Sequence, residues 1–124
     1  MRCHTIDLPA DPAHVRTARD WVRSLLYPRT PEAAVHDALL ITSDLATDAV
    51  VRHFEPAYRL HAAVSPMTLY LECSNVGAPE ECAPGPWDEN ARLYLVTHLA
   101  TMSGPACGRY FAFLQWGPAA VRPN

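Results

Sequence analysis

Apolar residues recur along this chain with two different periods, and the switches between them mark out its elements. Cys3 to Leu8 reads as a short first strand. Asp11 then stands where a helix cap belongs, with Pro12 at the first helical position. Val15, Ala18, Trp21, Val22 and Leu25 follow at helical spacing, with Arg16, Arg19 and Arg23 on a separate polar stripe. Tyr27-Pro28-Arg29-Thr30-Pro31 breaks that helix. Thr30 is placed to cap a second one, with Pro31 at its first position, and the pattern runs to about Arg52 before Phe54-Glu55-Pro56 ends it. The period then changes from helical to alternating. Tyr58, Leu60, Ala62 and Val64 alternate with more polar positions, Ser65-Pro66 turns the chain, and Leu69, Leu71 and Cys73 alternate again. This is the pattern of a hairpin.

Beyond the hairpin, a proline- and glycine-rich stretch from Asn75 to Trp87 reads as a long loop. Asp88 is placed to cap a third helix with Leu93, Val96, Leu99 and Met102 on its apolar face, and Ser103-Gly104-Pro105 is expected to stop it. Tyr110-Phe111-Ala112-Phe113-Leu114-Gln115-Trp116 is almost continuously apolar and reads as a buried strand. The order is strand, helix, helix, strand, strand, helix, strand. That order predicts an α+β, two-layer sandwich: a mixed, mostly antiparallel sheet with helices on one face. The expected organisation is one domain over residues 1–117 and a flexible tail over 118–124.

The second helix carries the most specific feature. Val35, Ala38, Leu39, Thr42, Leu45, Ala46 and Ala49 form its core-facing stripe. On the other side Asp37, Asp44 and Asp48 fall within roughly 40° of one another at about 100° per residue. Asp44 and Asp48, four apart, stack on one face. Such a line is either a site or a solvated surface. If Asp44 matters only for a ligand, replacing it is near neutral for stability, and a large loss would mark the line as buried and structural.

Bulk properties narrow the classes. A chain of 124 residues with 49% hydrophobic content suits one domain with a real core. No apolar run nears the length of a membrane span, and Met1 to Asp7 lacks the apolar stretch of a secretion signal, so a cytoplasmic protein is expected. The net charge is −3, without a basic patch, which argues against nucleic-acid binding. All ten basic residues are arginine. Lysine-based chemistry, whether a P-loop lysine or a Schiff base, is thereby excluded. Cys3, Cys73, Cys82 and Cys107 lack the paired spacing of a structural zinc site and read as buried or incidental thiols.

The element order and several segments together resemble one family. These are Leu8-Pro9-Ala10-Asp11-Pro12, the run from Leu40 to Val50, Leu93-Tyr94-Leu95-Val96-Thr97-His98-Leu99-Ala100, and Gly108-Arg109 before the last strand. The chain is similar to the small anti-sigma-factor kinases and related ATP-binding regulators of the histidine-kinase/Hsp90-type ATPase superfamily, of the actinobacterial type. The resemblance implies a Bergerat-type ATPase fold, a site for ATP and magnesium, and a protein partner. That partner would be a sigma factor, an anti-anti-sigma factor or another regulator, with dimer formation through the sheet edge also possible. From charge and apolar run length, neither a nucleic acid nor a membrane is expected as partner.

The resemblance also assigns roles. The family's glutamate, a general base or water orienter, falls on Asp44, and its magnesium-binding asparagine on Asp48. Its Asp-x-Gly-x-Gly adenine loop falls on Asn75-Val76-Gly77-Ala78-Pro79, so Asn75 and Gly77 would meet the nucleotide. Its Gly-x-Gly-Leu phosphate turn falls on Asn90-Ala91-Arg92-Leu93, where Arg92 replaces the second glycine. A basic residue following the helix motif falls near Arg52-His53. Aspartate is a methylene shorter than glutamate. Asn75 lacks the charge that strengthens a hydrogen bond, and the glycines that let backbone approach phosphate are gone. The reading these departures favour is a regulatory protein-interaction module on this scaffold, with nucleotide binding weakened or lost and no cofactor required. Two alternatives stand beside it. One is an active ATP-dependent protein-serine kinase or anti-sigma factor with Asp44 as its catalytic group. The other is an unrelated α+β domain whose Asp37, Asp44 and Asp48 form a solvated face.

Overall fold

The first helix starts one residue later than the sequence predicts, with Pro12 at the cap position and Ala13 the first helical residue, though Asp11 still supports its start. The Asp11 carboxylate accepts the backbone N–H of His14 at 3.2 Å and lies 2.7 Å from the His14 Nδ1, which satisfies a donor that the helix start leaves open. In the computed structural model, which describes residues 1–77 and 92–117, the elements are β1 (Arg2–Leu8), α1 (Ala13–Leu26), α2 (Glu32–Val51), β2 (Tyr58–Ser65), β3 (Thr68–Asn75), α3 (Tyr94–Leu99), β4 (Met102–Ala106) and β5 (Arg109–Gln115). The expected helix cap at Asp88, the residues Ala78 and Pro79, the turn residues Asn90 and Ala91, most of the 75–87 loop and the 118–124 tail lie outside the described residues.

The strands form one five-stranded sheet in the order β1-β2-β3-β5-β4. Among the described residues every pairing is antiparallel, where a mixed, mostly antiparallel sheet is expected. Burial alternates along β2, β3 and β5. Tyr58, Leu60, Ala62, Leu69, Leu71, Cys73, Tyr110, Ala112 and Leu114 face the helices. From α1 come Ala18, Val22 and Leu26, and from α2 Ala38, Ile41, Leu45, Ala46 and Ala49. The two helices pack against each other and over the same sheet face. The expected two-layer α+β architecture is therefore present. β5 is not buried on both sides, because Phe111 and Phe113 lie half-exposed on the face that no described helix covers.

Three local expectations change. Thr30 does not cap α2; the cap position is Pro31, without a side-chain hydrogen bond, while the Thr30 N–H closes the end of α1 on the Leu26 carbonyl at 3.1 Å. The third helix is only six residues long, and Met102 opens a strand instead of continuing it. Ser103-Gly104-Pro105, expected as a helix stop, is the middle of β4. Proline is tolerated there because β4 is an edge strand, with one side of its ladder unpaired. The turn into β5 is the two-residue Cys107-Gly108, both at positive φ (51° and 74°), which matches the right-handed twist of a hairpin. Cys107 is disulfide-bonded, while Cys3 and Cys73 are free thiols, so the reading of all four cysteines as incidental thiols does not hold for Cys107.

Candidate functional site

The carboxyl-terminal half of α2, the end of β3 and the start of α3 converge on one region. α2 ends in a defined cap. His53 takes a left-handed conformation (φ 55°), its N–H reaches the Val50 carbonyl at 3.1 Å, and the Phe54 N–H reaches the Ala49 carbonyl at 3.2 Å. This is a Schellman motif with Phe54 buried behind it. His53 is thus a helix-terminating residue, and the basic pair Arg52-His53 has a structural explanation.

Asp44 and Asp48 project from the last turns of α2, both half-buried and not on an open solvated line. Asp44 Oδ2 accepts the backbone N–H of Val96 at 3.2 Å and so pins α3 to α2. Asp48 Oδ2 accepts Arg52 Nε at 2.7 Å, an i,i+4 pair whose carboxylate side chain is 18% exposed. Cys73, on the facing strand β3, is fully buried, and its thiol is pushed far up in pKa by that burial, then by the nearby charges of Asp48 and Glu72. Asp37, further up the same helix, is also half-buried.

The other predicted residues stand around this pair with partners of their own. Asn75, at the end of β3, accepts the Gly77 N–H on its side-chain oxygen at 3.2 Å, a local turn of the kind asparagine favours. Gly77 is required by packing, since a Cβ there would lie 2.7 Å from the Glu55 carbonyl oxygen. Arg92 is exposed and precedes α3. The next residue, Leu93, donates its N–H to the buried Tyr110 hydroxyl at 2.9 Å. The structure thus brings Asp44, Asp48 and the α3 backbone together and places Asn75 and Gly77 at the end of the neighbouring strand. Among the described residues no group of three or more His, Cys, Asp or Glu side chains is arranged to hold a metal ion.

Spacing did not reveal two participants. Val96 enters through its backbone N–H, which no side-chain pattern signals. Ser43 accepts Arg19 Nη1 at 3.3 Å, so the middle of the α1 arginine stripe is bonded to α2. Arg23 pairs with Asp20 at 3.2 Å, and Arg16 is exposed.

No family profile and no curated protein sequence matches this chain. Twelve chains of solved structures do match. One is the crystal structure of the RsbU and RsbW domains of Rv1364c from Mycobacterium tuberculosis, with a TM-score of 0.64 at 16% sequence identity. The match covers 92% of this chain and 32% of that one, so the chain spans about a third of its length. At this identity the likeness is one of fold: an open antiparallel five-stranded sheet with helices, α+β in class.

Proposed function

We propose that this chain is a regulatory protein-interaction module on an anti-sigma-factor-like ATPase scaffold, with nucleotide binding weakened or lost. The observation that carries the reading is the Asp48–Arg52 pair at 2.7 Å. Magnesium prefers oxygen ligands, and a carboxylate at position 48 is chemically suited to it. Here a guanidinium already supplies the positive charge that a metal would supply. A bound ion would have to displace the guanidinium or share the carboxylate with it. This supports weakened magnesium binding at Asp48.

Three further observations support the reading. Asp44 already commits one carboxylate oxygen, Oδ2, to a backbone N–H, which restricts how it can orient toward a reacting hydroxyl. Asn75 already accepts the Gly77 N–H on its side-chain oxygen, and it lacks the charge of the family's aspartate. Arg92 carries a side chain where close backbone approach to phosphate needs glycine. The likeness in fold to the RsbU–RsbW structure supports the scaffold. The partner on this reading is a protein: a sigma factor, an anti-anti-sigma factor or another regulator. No helix among the described residues is long and apolar enough to cross a membrane.

The test is co-purification of the chain with sigma factors and anti-anti-sigma factors encoded in the same genome, with and without ATP and magnesium. A complex that forms to the same extent with and without nucleotide supports the reading. Complex formation that requires ATP, or transfer of phosphate to the partner, overturns it in favour of an active kinase with Asp44 as its catalytic group.

A further inference from the structure

A concavity of ≈ 480 Å³ opens at the other end of α2, where the end of α1, the turn into α2, the start of β1 and the β2–β3 turn meet. Its size falls within the roughly 300–1,000 Å³ of ligand-binding clefts. It lies apart from the region of Asp44 and Asp48. Helices rise about 1.5 Å per residue, so roughly 20 Å of α2 separates Thr30 in its wall from Asp44.

The wall contains Arg2 and Arg29 and no aspartate or glutamate. Among the described residues neither arginine has an ion-pair partner. Arg2 uses one Nη2 hydrogen on the Leu25 carbonyl at 3.4 Å, which also offsets the negative carboxyl-terminal end of α1 at this spot. Two of the most exposed large apolar side chains of the molecule, Met1 at 88% and Tyr27 at 74%, stand in the same wall, with Leu25 and Pro66 beside them. Unpaired arginines next to an exposed tyrosine have the composition of an interface centre.

We propose that this concavity docks an acidic peptide segment of a protein partner. The partner's carboxylates would pair with Arg2 and Arg29, and an aromatic or aliphatic side chain would pack against Tyr27 and Met1. Charge complementarity selects this occupant. The guanidinium fork matches a carboxylate in two parallel hydrogen bonds. Nucleic acid is disfavoured because the chain is net acidic, at −3, and two arginines make no phosphate-tracking stripe. The proposal goes beyond the regulatory reading, since it names a surface that does not depend on the acidic site.

The test is fluorescence anisotropy of the whole chain with fluorescein-labelled Glu-Glu-Phe-Leu-Glu-Glu, against the same peptide with glutamines for glutamates. The proposal expects saturable binding of the acidic peptide, weakened by salt and unaffected by ATP. Loss of one carboxylate-bound guanidinium, in Arg29→Gln, is expected to weaken binding about tenfold. Because Arg2 also bonds Leu25, Arg29→Gln is the decisive variant and Arg2→Gln the second. An unchanged unfolding midpoint shows that Arg29→Gln remains folded. Equal affinity for the two peptides, no saturable binding, or unchanged affinity in a folded Arg29→Gln overturns the proposal. ATP binding by the wild type would contradict the regulatory reading but leave this result untouched.

Discussion

Asp44 and Asp48 are two carboxylates on one helix face, and each already has a partner in the chain itself: a backbone N–H for one, a guanidinium for the other. For Asp44 this gives a stability prediction opposite to that for a solvated surface residue. Asp44→Ala leaves the Val96 N–H without its acceptor and costs about 1 kcal/mol, whereas Asp44→Asn keeps an oxygen there and costs less. Urea unfolding of both variants measures the difference, and equal midpoints for Asp44→Ala and wild type would contradict it. A second carboxylate sets a pH dependence. On the exposed sheet face Asp7 is bonded by Arg59 at 2.7 and 2.9 Å, chiefly through that hydrogen bond, and its pKa falls below the ordinary 3.8. Its contribution is therefore fully present above the unfolded value and lost as pH falls through the lower folded value. The pair is largely exposed and screened, so the effect is small. The prediction is that Arg59→Gln removes part of the loss in unfolding midpoint that wild type shows between neutral pH and pH values below 3.8.

Elements, more than single residues, decided which sequence expectations survived. α2 terminates through a left-handed residue that is not glycine. His53→Gly relieves that conformation while keeping both cap hydrogen bonds, which run through backbone atoms. It is expected to raise stability by about 1 kcal/mol, read as a higher thermal midpoint; a lower midpoint would mean that the His53 side chain has a role of its own. The β2–β3 hairpin was legible in the sequence because its alternation is strict and Pro66-Met67 makes a two-residue turn between Ser65 and Thr68. The β4–β5 hairpin was not. Cys107-Gly108 is an uncommon turn pair, and Ser103-Gly104-Pro105 has the residues of a helix stop. Only the position of β4 at the sheet edge, a tertiary fact, makes a strand of it. Of Leu93, Val96, Leu99 and Met102 only Val96 and Leu99 lie in the helix; Leu93 is the extended residue before it, and Met102 is 63% exposed at the start of β4.

At the scale of the whole molecule, helices over one sheet face leave both ends of α2 as places where loops meet. One end carries the acidic pair, fastened by Arg52 and by α3. The other carries Arg2 and Arg29, which form no ion pair among the described residues, in a concavity. The layer architecture and the shared face of Asp44 and Asp48 could be read from periodicity alone. Their partners could not, because Arg52 Nε and the Val96 N–H become relevant only once side-chain orientation and the packing of α3 are known. The arginine concavity was also invisible in the sequence, since Arg2 and Arg29 belong to segments brought together only by the fold. On the proposed function, the Asp48 carboxylate is held by Arg52 and does not serve a nucleotide-bound metal. Calorimetric titration of the full chain with ATP, with and without magnesium, tests it most directly. No saturable heat is expected up to about 1 mM ATP; magnesium-dependent binding in the micromolar range that disappears in Asp48→Ala would overturn the assignment.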